Sequence, residues 1–259
     1  MMTETADVRA GILLIGDELL SGRTQDANLS WMSTYLNRLG VRVTEAHVIG
    51  DEIDVIATTL NDMRARLDYV FTTGGIGPTH DDITADAVAR AFGVGISHHE
   101  EAVRRLESHY KKIDHRINEA RLRMARIPDG GQLIDNAIST APGFQLENVF
   151  VLAGVPMVMQ VMMDALAPRL KGGAVMLSRT IVVSAAEGEL AQALGAVQAQ
   201  HPGVSMGSYP FYHGGSFGVR LVLRGPDADS LKQAGEALLV VLDDLGVEIV
   251  AEGASEVGE

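Results

Sequence analysis

Over its first two-thirds the chain alternates between apolar runs of strand length and segments whose apolar residues recur at helical spacing. "RAGILLI" is a short apolar run, and "ANLSWMSTYLNRLG" follows it. There Trp31, Tyr35, Leu36 and Leu39 keep helical spacing, and Gly40 stands where a helix stops. "VRVTEAHVI" is β-rich and leads into the helical "EIDVIATTLNDMRARL", and "DYVFTT" is a buried-type strand that leads into "ITADAVARAF". Strands separated by helices pair in parallel, because a crossover carries the chain back over the sheet. The order therefore predicts an α/β fold, a three-layer and mostly parallel sheet with helices on both faces. Ligands of such sheets bind beyond the carboxyl ends of the strands.

A long helical section, roughly Ser97 to Arg126, follows, and then "LIDNAISTAPGF" as an irregular loop. "NVFVLAGVP" is a further strand and turn, and "MVMQVMMDALAPRL" a further helix. The glycines of "KGGAV" mark a boundary, giving domains over residues 8–172 and 173–250. Past it, "SRTIVVSA", "EGELAQALGAVQAQ", "VSMGSY", "GVRLVLRG" and "DADSLKQAGEALLVVLDDLG" run strand, helix, strand, strand, helix. That order suggests a second, smaller α+β domain with its helices on one face. The acidic tail "EGASEVGE" reads as frayed, and no internal repeat stands out.

The turn after "DYVFTT" carries more than a connection needs. Gly74, Gly75 and Gly77 admit backbone conformations and close approach that side chains prevent. Backbone N–H groups of such a turn, beside a helix N-terminus, form an anion site. Asp81 and Asp82 would repel a bare phosphate, and a divalent cation between carboxylate and phosphate resolves the conflict. The plainer reading is that one aspartate caps the helix beginning near Ile83, which explains one aspartate but not two beside three glycines. "IGDELLSGRTQDAN" also follows a strand, so Asp17 and Glu18 should project at the same sheet edge. Ser21, Thr24 and Asn28 add polar groups suited to a ribose, a pterin or a phosphate, unless this is only a polar loop that caps the next helix. Pro142–Gly143 and Gly154–Val155–Pro156 are turn sequences at strand ends of the same sheet.

Two patterns are rejected. His98 and His99 of "SHHEE" would point about 100° apart on a helix, and Ser97 with Glu100 fits a capping box. "GGSFG", residues 214–218, has the G-x-S-x-G spacing of a serine hydrolase. A strand follows where that chemistry needs a helix, so Ser216 is assigned to a hairpin loop. The absence of cysteine removes disulfides, thiolate zinc sites and thiol nucleophiles, and fits a reducing, cytoplasmic setting. A formal charge of −13 argues against nucleic acid as a partner. The basic run "RLESHYKKIDHRINEARLRMAR" is interrupted by acidic residues and reads as a solvated helical face. Nowhere do about 18 apolar residues run together, so no membrane is expected as a partner.

"TTGGIGPTHDDIT" resembles the signature of the molybdopterin-binding domain of MogA/MoaB-type molybdenum cofactor proteins. The variant it most resembles is that of competence/damage-inducible protein A (CinA) and of the N-terminal half of eukaryotic FAD synthase. "IGDELLSGRTQDANLSWMSTYL" and "NAISTAPGF" extend the likeness over roughly Gly11 to Leu170, and "GSYPF" resembles the region that follows in those proteins. The resemblance implies a MogA-like three-layer domain, with Asp82 acting with Mg²⁺ and Gly74, Gly75, Gly77 and Thr79 touching the ligand. Pro78 and Thr84 lie in the same signature and Gly154 in the turn that closes the site. Asp17, Glu18, Asn28, Asn136 and Gly143 match positions of the CinA and FAD-synthase branch. That branch is associated with divalent-metal-dependent hydrolysis of nucleotide pyrophosphates such as ADP-ribose or FAD. Related domains form homo-oligomers, for which the apolar "MVMQVMM" could supply a contact. This chain departs from the family turn, with Ala153 in place of its first proline and Val158 where a glutamate is common. Neither the nicotinamide mononucleotide deamidase domain of CinA nor the adenylyltransferase domain of FAD synthase is expected within these 259 residues, and neither activity is assigned to them.

Two functions are carried forward. One is a nucleotide pyrophosphatase in which Asp81 and Asp82, with Asp17 or Glu18, hold Mg²⁺, Mn²⁺ or Co²⁺ and the glycine turn holds a phosphate. The other is a non-catalytic molybdopterin- or pterin-binding protein of molybdenum cofactor metabolism.

Overall fold

The computed structural model describes residues 7–213 and 216–256. It divides between Gly173 and Ala174 into two compact units.

The first unit runs β1 (Val8–Ile15), α1 (Asp17–Leu20), α2 (Asn28–Arg38), β2 (Val41–Ile49), α3 (Ile53–Arg66), β3 (Tyr69–Thr73) and α4 (Thr84–Phe92). It continues with β4 (Ile96–His98), α5 (Glu100–Lys112), α6 (Glu119–Arg123), β5 (Arg126–Pro128), β6 (Gln132–Ile134), β7 (Gly143–Leu146), β8 (Val149–Leu152) and α7 (Pro156–Leu166). Six strands form one sheet in the order β2-β1-β3-β8-β7-β6. The first four are parallel, and β7 and β6 are added antiparallel at one edge.

The β1 sequence shows why the sheet is sandwiched. Ile12 and Leu14 point to one face and Leu13 and Ile15 to the other, and all four are buried. On the first face they meet Met32 and Leu36 of α2 and Met159, Met162, Met163 and Leu166 of α7. On the second they meet Ile56, Leu60 and Met63 of α3 with Ala87 and Val88 of α4. Each of these leucine, isoleucine, valine and methionine side chains contributes about 1.5–3 kcal/mol by leaving water.

The section from Ser97 to Arg126 is not one helix. Ile96–His98 pairs antiparallel with Arg126–Pro128, so strand pairing claims Ser97 and the helix starts at Glu100 with His99 as its cap. The expected capping box of Ser97 and Glu100 is therefore absent. Asp114, with φ 54°, lies in the break between α5 and α6. The "MVMQVMM" segment is also corrected as an oligomer contact: Val158, Met159, Met162 and Met163 are spent on this unit's own core, although Met157 is exposed.

The second unit runs β9 (Leu177–Ser184), α8 (Glu187–Gln200), β10 (Ser205–His213), β11 (Ser216–Gly225), α9 (Ala228–Asp244) and β12 (Glu248–Glu256). Its four strands are antiparallel in the order β10-β11-β9-β12. Ile181, Val183, Val219, Leu221 and Leu223 pack with Leu190, Val197, Leu231 and Leu238 of the two helices. Ser216 opens β11 rather than sitting in the hairpin loop; Gly214 and Gly215 of that loop lie outside the described residues. The tail is corrected as well. Residues 252–256 are strand, because β9 offers a free edge that Glu248–Glu256 pairs with; 257–259 lie outside the described residues. Among the described residues no helix is long and apolar enough to cross a membrane.

Candidate functional site

The carboxyl ends of β1 and β3 are neighbours, since Leu14 pairs with Thr73. The loops that leave them therefore emerge side by side. Gly74 has φ 103°, and a Cβ there would lie 2.1 Å from the Ile15 carbonyl oxygen. Gly75 has φ 65°, and its Cβ would lie 2.2 Å from the Thr84 hydroxyl. Only glycine permits a turn this close to the neighbouring strand and to the start of α4.

Three contacts hold the turn. The Gly74 N–H donates to the Leu152 carbonyl (3.2 Å), the Thr84 N–H to the Gly75 carbonyl (3.0 Å), and the buried Thr84 hydroxyl to the Gly74 carbonyl (2.9 Å). Among the described residues no protein acceptor is paired with the N–H groups of Gly75, Ile76 or Gly77, which leaves them free for an anion.

Neither aspartate caps α4, whose N-cap is Ile83 without a side-chain hydrogen bond. Asp82 closes its own turn instead, accepting from the Thr79 N–H (2.7 Å) and hydroxyl (2.5 Å). Arg123 donates to the Asp82 carbonyl at 3.1 and 3.2 Å. Asp81 is exposed, and the nearby Thr79 hydroxyl, with the charges of His80 and Arg123, holds its carboxyl below the usual range.

These pieces border a cleft of about 490 Å³. Glu18, Thr24, Gly74, Gly75, Gly77 and Asp82 supply much of its polar rim. Gly154, Val155 and Pro156 bring the turn before α7 to the cleft. Among the described residues the Gly154 and Val155 N–H groups have no protein acceptor, whereas Pro156 has no N–H and that of Val158 is bonded to the Val155 carbonyl. Ile76, Met124, Ala141, Val158 and Met162 give apolar walls suited to a flat ring. Asn136 borders the cleft but spends its side chain on its own loop, donating to Ser139 Oγ and the Ala141 carbonyl while accepting from the Ile138 and Ser139 N–H groups. Ala153 donates its N–H to Met162 Sδ at 3.4 Å.

Other sequence candidates lie off the cleft wall. Thr84 is buried beneath the turn, and Pro78, Thr79 and Asp81 are on its exposed outer side. Gly143 is buried in β7, where a Cβ would meet the Val151 carbonyl at 2.4 Å, so its place is set by strand packing. Asn28 braces the wall from behind, donating to the Gly154 carbonyl at 2.8 Å, and among the described residues its buried Oδ1 has no partner. The Ser21 hydroxyl bonds to the Glu18 carbonyl.

Asp17 leads to a residue the sequence reading missed. Its N–H donates to Asp51 Oδ2 (2.9 Å), and the Asp51 N–H lies 3.4 Å from Asp17 Oδ1. Burial pushes the Asp51 carboxyl up, and the charges of Asp17, Glu18 and Asp81 add to this against the lowering by the Asp17 N–H. A signal for it was present: "IGDE" occurs at Ile15–Glu18 and again at Ile49–Glu52. β1 and β2 pair Ile15 with Ile49, so the two copies end adjacent strands in register.

Among the described residues no three His, Cys, Asp or Glu side chains converge to cage a metal. Ions of the Mg²⁺ type are commonly held by one or two carboxylates, with phosphates and water completing the shell. Glu18 and Asp82, both on the cleft, fit that donor number and type.

The model of a family described as a probable molybdopterin binding domain matches residues 11–172. The chain belongs to this family. The model of the FAD synthase middle domain matches residues 175–251. A protein of Aeropyrum pernix is 34% identical over 96% of this chain and 97% of its own length. A CinA-like protein of Citrifermentans bemidjiense is 39% identical over 64% of this chain and 41% of its own, so the present chain matches less than half of that relative. The crystal structure of the protein CinA, of unknown function, from Thermoplasma acidophilum is similar with a TM-score of 0.58 and 29% identity. It covers 63% of this chain and 99% of that one.

Proposed function

We propose that the cleft binds a nucleotide or pterin through its phosphate and that, with a divalent cation, it hydrolyses the pyrophosphate bond of a nucleotide such as ADP-ribose or FAD. The observation that carries this is the joining, in one cleft, of the unpaired Gly75–Gly77 N–H groups with the carboxylates of Glu18 and Asp82. A diphosphate needs both: N–H donors for its oxygens and a cation to offset its charge.

Asp82 and Glu18 would hold the cation, which when bound draws charge from the diphosphate and lowers the pKa of a water molecule. The glycine turn and the Gly154–Val155 turn fix the phosphate oxygens, while Ile76, Val158 and Met162 cover the ring. Water adds to one phosphorus, the bridging P–O bond breaks, and the leaving phosphate departs with the electron pair. The proton released passes to solvent at the open rim. The apparatus is one of positioning and electrostatics. The family likeness to CinA and the match to the FAD synthase middle domain support a nucleotide substrate.

Val158 favours a second reading. It is apolar and on the cleft wall, where the resemblance places a glutamate. A site short of one carboxylate would bind molybdopterin without turnover. Assembly into a homo-oligomer belongs to either reading. Incubating the protein with ADP-ribose, FAD, NAD and molybdopterin, each with Mg²⁺, Mn²⁺ or Co²⁺, and scoring binding and cleavage separates the two. Cleavage of ADP-ribose or FAD supports the first; tight molybdopterin binding with no cleavage supports the second.

A further inference from the structure

A second cavity, of about 270 Å³, lies along α5. Arg104, Arg105, Ser108, His109, Lys112 and Thr140 line it. Residues 104, 108 and 112 fall on one helical stripe and 105 and 109 beside it, so one face of α5 gathers three permanent cations. This is unusual in a chain of net charge −13.

The ion pairs do not consume all of that charge. Arg105 is held by Glu101 at 2.8 Å and by Asp135 at 2.6 Å, and Arg104 shares Glu101 at 2.5 Å. Among the described residues Lys112 has no carboxylate partner, so three cations face two carboxylates. The Ser108 hydroxyl adds a neutral donor, and the Thr140 hydroxyl a polar group shared with His109. Arginine, lysine and hydroxyl together make a phosphate-recognising set.

The cavity is just under the roughly 300–1,000 Å³ of pockets that hold drug-sized ligands, and it is roomier than a lone anion needs. Glu101, which also lines it, stays ionised because Arg105 and then Arg104 hold its carboxyl below the usual range. It would repel a second phosphate but accept hydrogen bonds from hydroxyls. These features fit a small phosphate ester of a polyol.

The cavity shares a loop with the cleft. Asn136, Ser139 and Ala141 border the cleft, and Thr140 borders the basic cavity. Thr140 has φ 67°, its N–H donates to the Asn136 carbonyl at 3.1 Å, and its hydroxyl lies 3.0 Å from His109 Nδ1. Thr140 thus links His109 of α5 to the loop that borders the cleft.

We propose that this cavity is a second anion site, taking a sugar phosphomonoester and communicating with the cleft through residues 136–141. The proposal does not depend on the reaction in the cleft.

The test is calorimetric and ¹H–¹⁵N NMR titration of the whole protein, free of divalent cations, with ribose 5-phosphate and with inorganic phosphate. Saturable binding of ribose 5-phosphate is expected with a Kd below about 1 mM. It should weaken at least about tenfold in the doubly substituted Arg104→Ala/Lys112→Ala protein. Both positions are exposed, so folding should not be disturbed. Asp82→Asn, in the cleft, should leave this affinity unchanged. Amide shifts at Thr140 should be accompanied by shifts at Asn136 and Ser139. No saturable binding, or equal affinity in the double variant, would overturn the site. Inorganic phosphate binding as tightly as the ester would overturn the ester assignment, and shifts confined to α5 would overturn the coupling.

Discussion

Replacing Gly74 by alanine should destabilise the first unit more than a left-handed backbone position alone explains. Two costs combine there. At φ 103° an L-residue is strained by about 1–3 kcal/mol. The new Cβ would also sit 2.1 Å from the Ile15 carbonyl oxygen, and that atom cannot yield, because β1 is fixed between β2 and β3. Relieving such an overlap by backbone shifts costs about 1–3 kcal/mol more. The sum is about 2–6 kcal/mol. Gly93→Ala is the internal control: it has φ 66° and nothing within 4 Å of the added carbon, so only the conformational cost of about 1–2 kcal/mol applies. Urea unfolding followed by the fluorescence of Trp31, the chain's one tryptophan, reports on this unit. A loss of stability at Gly74→Ala no larger than at Gly93→Ala would refute the close approach of the turn to β1.

Thr84→Val keeps the shape but removes the hydroxyl that donates to the Gly74 carbonyl. It should cost about 1–2 kcal/mol in urea unfolding and weaken ligand binding through a looser turn. Asp51→Asn should raise stability at pH 7. Its carboxyl is raised in the folded state, so the folded protein binds that proton more tightly, and ionising it as pH rises through the folded pKa costs stability. The gain over wild type should vanish below the ordinary aspartate range, as melting curves at pH 7 and pH 3 would show; an equal gain at both would refute it.

What the sequence revealed and what it hid have physical causes. The runs ending at Ile15 and Thr73 and the helices after them were readable because a strand buried on both faces is built mainly of apolar and β-branched residues. The glycine turn was readable because three glycines and two aspartates exceed what a connection needs. The pairs β4–β5 and β6–β7 escaped because three- and four-residue strands carry too little periodicity to register. The misread helix from Ser97 arose from helical spacing that continues through charged residues, while its break depends on Asp114, which can adopt φ 54° without announcing it. Asp51 was hidden because its partner, Asp17, is distant in sequence; only the register of β1 with β2 brings the two "IGDE" copies together. The edge pairing of the tail was hidden for a similar reason, as β9 alone makes a strand of "EGASE".

The central claim, that Asp82 and the glycine turn form a cation-assisted pyrophosphate site, is tested most directly by Asp82→Asn. Asparagine retains an oxygen for the Thr79 N–H and hydroxyl, so the melting temperature should barely move. It removes one formal charge from the carboxylates on the cleft. Metal-dependent cleavage of ADP-ribose and FAD should fall at least about a hundredfold, the scale of losing one well-placed electrostatic group. Equal cleavage by wild type and Asp82→Asn, at matched stability, would contradict the claim.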